Sequence, residues 1–211
     1  MTEWYRTPGW TLADQEDFER RLRRAKPWNR GDYLRIKGLA LWEEGLVGVA
    51  RTLWIRALTE TRDSFTQMPA LEHLADSLRD EDPDVAEVFY RRMLAQDPTL
   101  NGTSTMAEVH CAELLIRRGD VASLEEARTL LDAWTERDPL FPAERFAGAV
   151  VEARWHDATG RPEAAGRWAA DALELAELES PLASAPGLAV RGIEPALETW
   201  LREVARRRFP A

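Results

Sequence analysis

A pattern of small and large residues recurs four times along this chain of 211 residues. Each copy has a small residue, a large residue, a turn, a second small residue, a large or aromatic residue and a third small residue, in that order. In the first copy these positions are Gly38, Leu41, Gly45, Ala50, Trp54 and Ala57. The alanines that correspond to Ala50 are Ala86, Ala127 and Ala165, at successive spacings of 36, 41 and 38 residues. A repeat of this length favours architectures in which similar units stack on one another.

Each copy of the pattern predicts two antiparallel helices joined by a short turn. Ala, Leu, Glu and Arg dominate the chain, strand-like alternation is scarce, and glycine and proline fall mainly between the helical runs. A small residue on the first helix allows the second helix to approach closely, and a turn glycine supplies a left-handed backbone conformation. Because one helix pair cannot bury its own apolar face, the pairs are expected to pack on each other. The sequence therefore predicts an all-α fold.

These units resemble the tetratricopeptide repeat family. The resemblance covers about residues 31–176 and is strongest in GLALWEEGLVGVARTLWIRAL (38–58) and in CAELLIRRGD (111–120) with LEEARTLLDAWTERDP (124–139). It implies a right-handed superhelix, or α-solenoid, of antiparallel helix pairs. The units are longer than the family's usual period of about 34 residues, and Lys37 stands where the family usually has a large aliphatic residue.

Both ends of the array are predicted to carry capping helices. Thr11 precedes a helical run in which Asp14 is placed for a capping box. The apolar side of that run is formed by Leu12, Phe18, Leu22 and Ala25. Near the other end, Pro195 suits the first turn of a last helix, whose apolar residues at helical spacing are Leu197, Trp200, Leu201 and Val204. The predicted organisation is an N-terminal segment with its capping helix at 1–30, the repeat array at 31–178, a loop at 179–192 and a C-terminal capping helix at 193–211.

The composition argues against several classes of protein. No apolar run approaches the roughly 20 residues needed to cross a bilayer, and the N-terminus lacks the pattern of a secretion signal. The single cysteine cannot form an internal disulfide, which is typical of a reducing compartment. Arginine greatly outnumbers lysine, which is typical of a G+C-rich bacterial genome. These features predict a cytoplasmic, bacterial protein.

Charge is unevenly distributed along the chain. Residues 1–37 hold nine basic and six acidic groups, a net charge of +3, and the remainder holds nineteen basic and thirty-one acidic groups, a net charge of −12. The acidic body disfavours nucleic acid as a general partner, because neutralisation of phosphates is a main source of affinity there. The basic stretch at 20–37 leaves an alternative open, in which it binds nucleic acid or an acidic partner.

The reactive side chains form no recognisable catalytic or metal-binding pattern. His110 and Cys111 are adjacent, so they point in different directions on a helix, and Cys111 is expected in the core. Glu152 and His156 are four residues apart, a spacing that favours a surface pair. The sequence therefore predicts no enzyme, no metal and no cofactor, and a catalytic site around His156 and Asp157 ranks last among the hypotheses.

In the tetratricopeptide repeat family, the first helices of the units line a concave groove that binds partner peptides. Transferring that register residue by residue assigns twelve positions to the groove. They are Arg35, Leu39, Trp42, Glu72, Asp76, Arg79, Val109, Glu113, Ile116, Arg117, Arg154 and Asp157. An exposed tryptophan beside arginines is a typical hot-spot combination, although an N-terminal helix packed into the groove would bury Trp42.

The resemblance thus predicts a protein–protein interaction module that holds a protein segment in this groove. An adaptor, an assembly factor or scaffold, and an immunity-type partner all remain open. Self-association through a poorly capped end of the array, which would give a homo-oligomer, is a further alternative.

Overall fold

A computed structural model of the protein describes residues 3–61, 64–96, 99–182 and 184–208. Within these residues the regular secondary structure consists of ten α-helices and two short 3-10 helices, Pro186–Leu188 and Arg206–Arg208, with no strand. The helices are α1 (Leu12–Arg24), α2 (Pro27–Glu43), α3 (Val47–Glu60), α4 (Ser64–Leu78), α5 (Pro83–Gln96), α6 (Ala107–Arg118), α7 (Val121–Thr135), α8 (Pro142–Ala158), α9 (Pro162–Ala176) and α10 (Pro195–Ala205). The all-α prediction is confirmed.

The chain divides into two compact units, Met1–Ala107 and Glu108–Ala211. The boundary falls inside the segment that the sequence predicts as one array, between its second and third helix pairs. The first unit contains α1 to α5, and the second contains α7 to α10 and all of α6 except its first residue.

The N-terminal helix begins at the predicted capping box. The Asp14 backbone N–H donates a hydrogen bond to the Thr11 hydroxyl at 3.3 Å, and the Thr11 backbone N–H donates one to the Asp14 carboxylate at 2.8 Å. Phe18 and Leu22 are buried in the core that α1 shares with α2 and α3. Leu12 is 72% exposed, so its assignment to the apolar side is wrong. At 100° per residue it lies about 120° around the helix from Phe18.

The first helix pair, α2 and α3, shows why a glycine suits position 38. Trp54 of α3 is fully buried, and its indole N–H donates a hydrogen bond to the carbonyl oxygen of Arg35 at 3.1 Å. A Cβ added to Gly38 would overlap the Trp54 ring, so only glycine admits the tryptophan at this crossing. Gly45 turns the chain between the helices with a φ of +79°, as a glycine after a helix end commonly does.

The second unit also has a helix glycine that makes room for a tryptophan, at a position outside the repeat pattern. Gly148 of α8 faces Trp134 of α7, and a Cβ there would overlap the indole. At the end of the chain, Leu201 and Val204 of α10 are fully buried in one cluster with Ala169 of α9. The helix α10 thus covers the apolar face of the last pair, as a capping helix is expected to do.

Candidate functional site

The N-terminal segment and Trp42 lie on opposite sides of α2. The ring of Trp4 is 5.1 Å from that of Tyr33 between centroids, and the ammonium of Lys37, one turn further along α2, donates a hydrogen bond to the carbonyl oxygen of Thr7 at 2.5 Å. At 100° per residue, Trp42 lies about 180° around the helix from Tyr33. The N-terminal segment therefore covers the Tyr33 side of α2 and leaves the Trp42 side to other neighbours.

Lys37, the departure from the family pattern, is a buried cation with 1% of its surface exposed. Its ammonium donates hydrogen bonds to the carbonyl oxygens of Thr7 and Gly9, at 2.5 and 3.0 Å. It also lies 5.4 Å from the ring centroid of Trp10 and 5.8 Å from that of Phe18, within the range of cation–π attraction. Burial lowers the pKa of Lys37. The residue anchors the N-terminal segment and offers no charge to an external ligand.

Other members of the basic stretch at 20–37 are also engaged within the protein. Arg20 and Arg21 both pair with Asp17, the latter at 2.7 Å. The guanidinium of Arg30 donates a hydrogen bond to the carbonyl oxygen of Ala25 at 3.3 Å. Lys37 is buried and Arg30 is partly buried, so the fully exposed cations of this stretch lie between residues 20 and 26.

The face of α2 around Trp42 carries Arg35 and Leu39, both within about 60° of Trp42 around the helix. These three residues are called the Trp42 surface. Trp42 is partly buried because its ring packs edge-on against Trp54, at 5.7 Å between centroids. His73 of α4 lies 5.3 Å from Trp54 and 6.5 Å from Trp42.

Two predicted groove carboxylates on α4 are used to fix the fold of the first unit. Glu72 is buried and accepts hydrogen bonds from the backbone N–H of Ser104 at 3.0 Å and from its hydroxyl at 2.5 Å. Asp76 accepts a hydrogen bond from the hydroxyl of Tyr90 at 2.5 Å. Arg79, at the end of this helix, is partly exposed. Glu72 thus has little surface left for a partner.

Three of the four predicted groove residues on α6 are buried. Val109 is fully buried, and Glu113 and Ile116 retain less than a tenth of their surface. Glu113 pairs with Arg154 of α8 and with Arg117, the latter at 3.3 Å. On this helix only Arg117 combines a predicted role with an exposed side chain.

The last two predicted groove residues, Arg154 and Asp157, line an open cleft of about 520 Å³ between α8 and the start of α10. The Arg154 guanidinium lies over the ring of Trp200, with its central carbon 5.7 Å from the ring centroid. Asp157 accepts a hydrogen bond from Arg207 at 2.6 Å. Leu197 and Trp200 line the same cleft, which is called the α8–α10 cleft.

Sequence reasoning did not assign Leu197 and Trp200 to a site, because they belong to the periodic apolar side of a capping helix. Their spacing with Leu201 and Val204 is that of an ordinary amphipathic helix, so the sequence holds no signal that separates cleft residues from core residues on α10. Leu201 is fully buried, whereas Leu197 and Trp200 are only partly buried. The partly exposed edge of this apolar side forms one wall of the cleft.

His156 and Asp157, which the sequence suggested last as a catalytic site, contact different partners. His156 lies 3.9 Å from Glu152, and burial lowers the pKa of the histidine. Glu152 is held by two hydrogen bonds from Arg128, both at 2.7 Å, and Asp157 is held by Arg207. In the described part of the chain, no group of three or more His, Cys, Asp or Glu residues is arranged to hold a metal ion.

Comparisons with known proteins assign no function. No family model matches the chain, and no curated protein and no solved structure matches it. None of the helices within the described ranges is both long and apolar enough to span a membrane.

Proposed function

We propose that this chain is a non-enzymatic protein-interaction module of the tetratricopeptide repeat type, a right-handed solenoid that acts in the cytoplasm. The observation that carries the proposal is the α8–α10 cleft. It brings two predicted groove residues, Arg154 and Asp157, together with the partly exposed Leu197 and Trp200.

The chemistry of the α8–α10 cleft suits a short protein segment. Trp200 and Leu197 provide an apolar wall, and Glu194 and Asp157 add carboxylates beside the Arg154 guanidinium. Tryptophan and arginine are the residues most often found at binding hot spots, where they contact apolar and polar groups of a partner together. A segment with one apolar side chain between charged ones would match this combination of groups.

The Trp42 surface supports the same proposal from the first unit. It combines Trp42 with Arg35 on the side of α2 that the N-terminal segment leaves open. Neither residue is completely buried. A tryptophan and an arginine thus occur together once in each unit, both on α2 in the first unit and on α10 and α8 in the second, and the two surfaces can be tested independently.

The proposal is tested by blocking the α8–α10 cleft without removing its structural contacts. Ala196 lines the cleft and is exposed, so Ala196→Trp would fill the space with little effect on the core. Ala122→Trp, at an exposed position in the first turn of α7, is the matched control. A photo-crosslinking residue placed at 196 or at 122 reports which proteins of a native lysate contact each position.

We expect proteins to be crosslinked at position 196 and not at 122. Binding of a recovered partner, measured by calorimetry, is expected to weaken with Ala196→Trp and to remain unchanged with Ala122→Trp. Equal crosslinking at both positions, or a partner that tolerates Ala196→Trp, would show that the α8–α10 cleft is not the binding site.

We do not propose nucleic-acid binding through residues 20–37, because several cations of this stretch are engaged within the protein. Lys37 is buried, and Arg20 and Arg21 pair with Asp17. These contacts reduce the phosphate-binding capacity on which such an interaction depends.

A further inference from the structure

The second unit contains another cleft, separate from the α8–α10 cleft and sharing no lining residue with it. It is an open space of about 810 Å³ bounded by the end of α7, the connection to α8, the start of α8 and the C-terminal half of α9. It is called the α7–α9 cleft. None of the twelve groove positions predicted from the sequence lies in it.

Apolar side chains of α9 and of the α7–α8 connection line the α7–α9 cleft together with charged ones. Trp168 and Leu175 are seven residues apart and share one face of α9, and Leu178, two residues after the end of that helix, lines the same cleft. Leu175 is buried, whereas Leu178 is 47% exposed and Leu140, from the α7–α8 connection, is 74% exposed. Exposed leucines that line the same cleft differ from the scattered apolar residues of an ordinary surface, and such patches commonly mark interaction sites.

The charges around this apolar surface are mostly of one sign. The carboxylates of Asp138, Asp171 and Glu174 line the cleft, and Arg145 is the one guanidinium among its lining residues. Three negative charges against one positive charge leave the lining at −2. All four of these residues are exposed, so their charges are available to a ligand.

The α7–α8 connection holds Asp138 in an uncommon backbone conformation. Asp138 has a φ of +54°, in the left-handed region that aspartate tolerates better than most residues. Its backbone N–H donates a hydrogen bond to the carbonyl oxygen of Thr135 at 3.1 Å, which closes the turn after α7. The turn places Asp138, Pro139 and Leu140 at the cleft together.

We propose that the α7–α9 cleft is a docking surface for an amphipathic protein segment with leucine-like side chains on one face and lysines or arginines beside them. Charge complementarity selects this occupant, because an acidic segment would place its carboxylates against Asp138, Asp171 and Glu174. The proposal does not depend on the function proposed for the α8–α10 cleft. Ala196→Trp, which blocks that cleft, leaves the α7–α9 cleft intact, so the two proposals fail separately.

The probe is a fluorescent peptide of leucine and lysine, about four helical turns long, with its leucines at helical spacing on one face. A peptide of the same pattern with glutamate in place of lysine tests the charge requirement. Binding to the full-length chain is followed by fluorescence anisotropy at about 0.15 M ionic strength, where contacts between distant surface charges are largely screened.

Two pairs of variants, each with its own control, separate the cleft from general attraction to an acidic protein. Leu140→Ser with Leu178→Ser removes the exposed apolar groups, and Val121→Ser, at a residue that is 73% exposed in α7 and outside the cleft, is the control. Asp171→Asn with Glu174→Gln removes two carboxylates, and Glu163→Gln, exposed in the first turn of α9, is the control. Circular dichroism of each variant checks that the helices are retained.

We expect the lysine peptide to bind and the glutamate peptide to bind at least about tenfold more weakly, a difference of about 1.4 kcal/mol. Each cleft variant is expected to lower the affinity by a similar factor, while the controls retain it. Absence of binding, equal binding of both peptides, or equal losses in cleft and control variants would each overturn the proposal. Self-association of the chain that Leu140→Ser with Leu178→Ser abolishes would also overturn it, by identifying a second copy as the occupant.

Discussion

Lys37 in the first unit and Glu152 in the second are buried charges that are stabilised in different ways. In the first unit, the Lys37 ammonium is held by carbonyl oxygens of the N-terminal segment and by aromatic rings. In the second unit, the Glu152 carboxylate, with 2% of the residue exposed, is held by both terminal nitrogens of Arg128. The first arrangement attaches a terminal segment to a helix pair, and the second joins α7 to α8. A buried charge with backbone carbonyl partners thus attaches a chain segment to a helix, whereas a buried charge with a side-chain partner of opposite sign joins two helices.

Removing the Glu152 carboxylate, the partner of Arg128 in the second unit, is expected to have the largest effect on stability. Glu152→Ala leaves the Arg128 guanidinium, whose side chain is 25% exposed, with Asp132 at 2.9 Å as its remaining carboxylate partner. We expect a loss of about 2–3 kcal/mol, at or just below the range for a fully buried pair. The free energy of unfolding in urea measures the loss. Glu198→Ala breaks the exposed pair with Arg202 on α10 and is expected to cost less than about 1 kcal/mol. Similar losses in the two variants would show that burial does not strengthen the Arg128–Glu152 pair.

The two units also differ in how a partly buried histidine is expected to make their stability depend on pH. Burial, assisted by Arg35, lowers the pKa of His73 from 6.5 to about 4. The unfolded chain then binds more protons between these values, so this contribution to stability is complete above pH 6.5 and is lost as the pH falls towards 4. The loss is on the order of 2 kcal/mol, allowing for incomplete burial. Unfolding in urea from pH 7 to pH 4 should show it in the parent chain and not in His73→Gln.

The control for this pH dependence is His156→Gln in the second unit. Burial also lowers the pKa of His156, but the nearby Glu152 carboxylate opposes that effect by favouring the charged ring. We therefore expect His156→Gln to change the slope of stability against pH less than His73→Gln does. A larger change from His156→Gln would mean that Glu152 does not compensate the second histidine.

Removing the buried cation of the first unit is expected to lower global stability less than the loss of the Glu152 carboxylate does, and to have a clear local effect. Lys37→Met keeps the length of the side chain and leaves the carbonyl oxygens of Thr7 and Gly9 without their donor, at a cost of about 1–2 kcal/mol. The N-terminal segment should then be cleaved faster by trypsin at Arg6, as followed by mass spectrometry. Lys26→Met, at an exposed position beside Trp28, is the control and should leave cleavage at Arg6 unchanged. Unchanged cleavage in both variants would show that Lys37 does not anchor the segment.

Features that depend on a few neighbouring residues were predictable from the sequence. The capping box needs only Thr11 and Asp14, and the turn between α2 and α3 needs only a glycine at position 45. The same holds for the start of the last helix at Pro195. Helix propensity, capping and turn conformation act over one or two turns of the chain, so their signals are complete within a short segment.

The groove residues were harder to predict, because a helical register shows which way a side chain points but not whether a neighbouring segment covers it. Val109 and Glu72 have the register of groove residues, yet neighbouring segments cover both of them. Arg154 and Asp157 were assigned by the same register and do line a cleft. The difference between these outcomes is set by what packs beside each helix.

The sequence by itself determined the all-α class of this protein and local features such as the capping box at Thr11, the turn at Gly45 and the helix start at Pro195. Only the tertiary structure decided that Lys37 is buried, that Gly148 accommodates Trp134 and that Arg154 lies over Trp200. The sequence separations in these contacts run from 14 residues, between Trp134 and Gly148, to 46, between Arg154 and Trp200. No local pattern specifies such pairs, because the packing of whole helices brings them together.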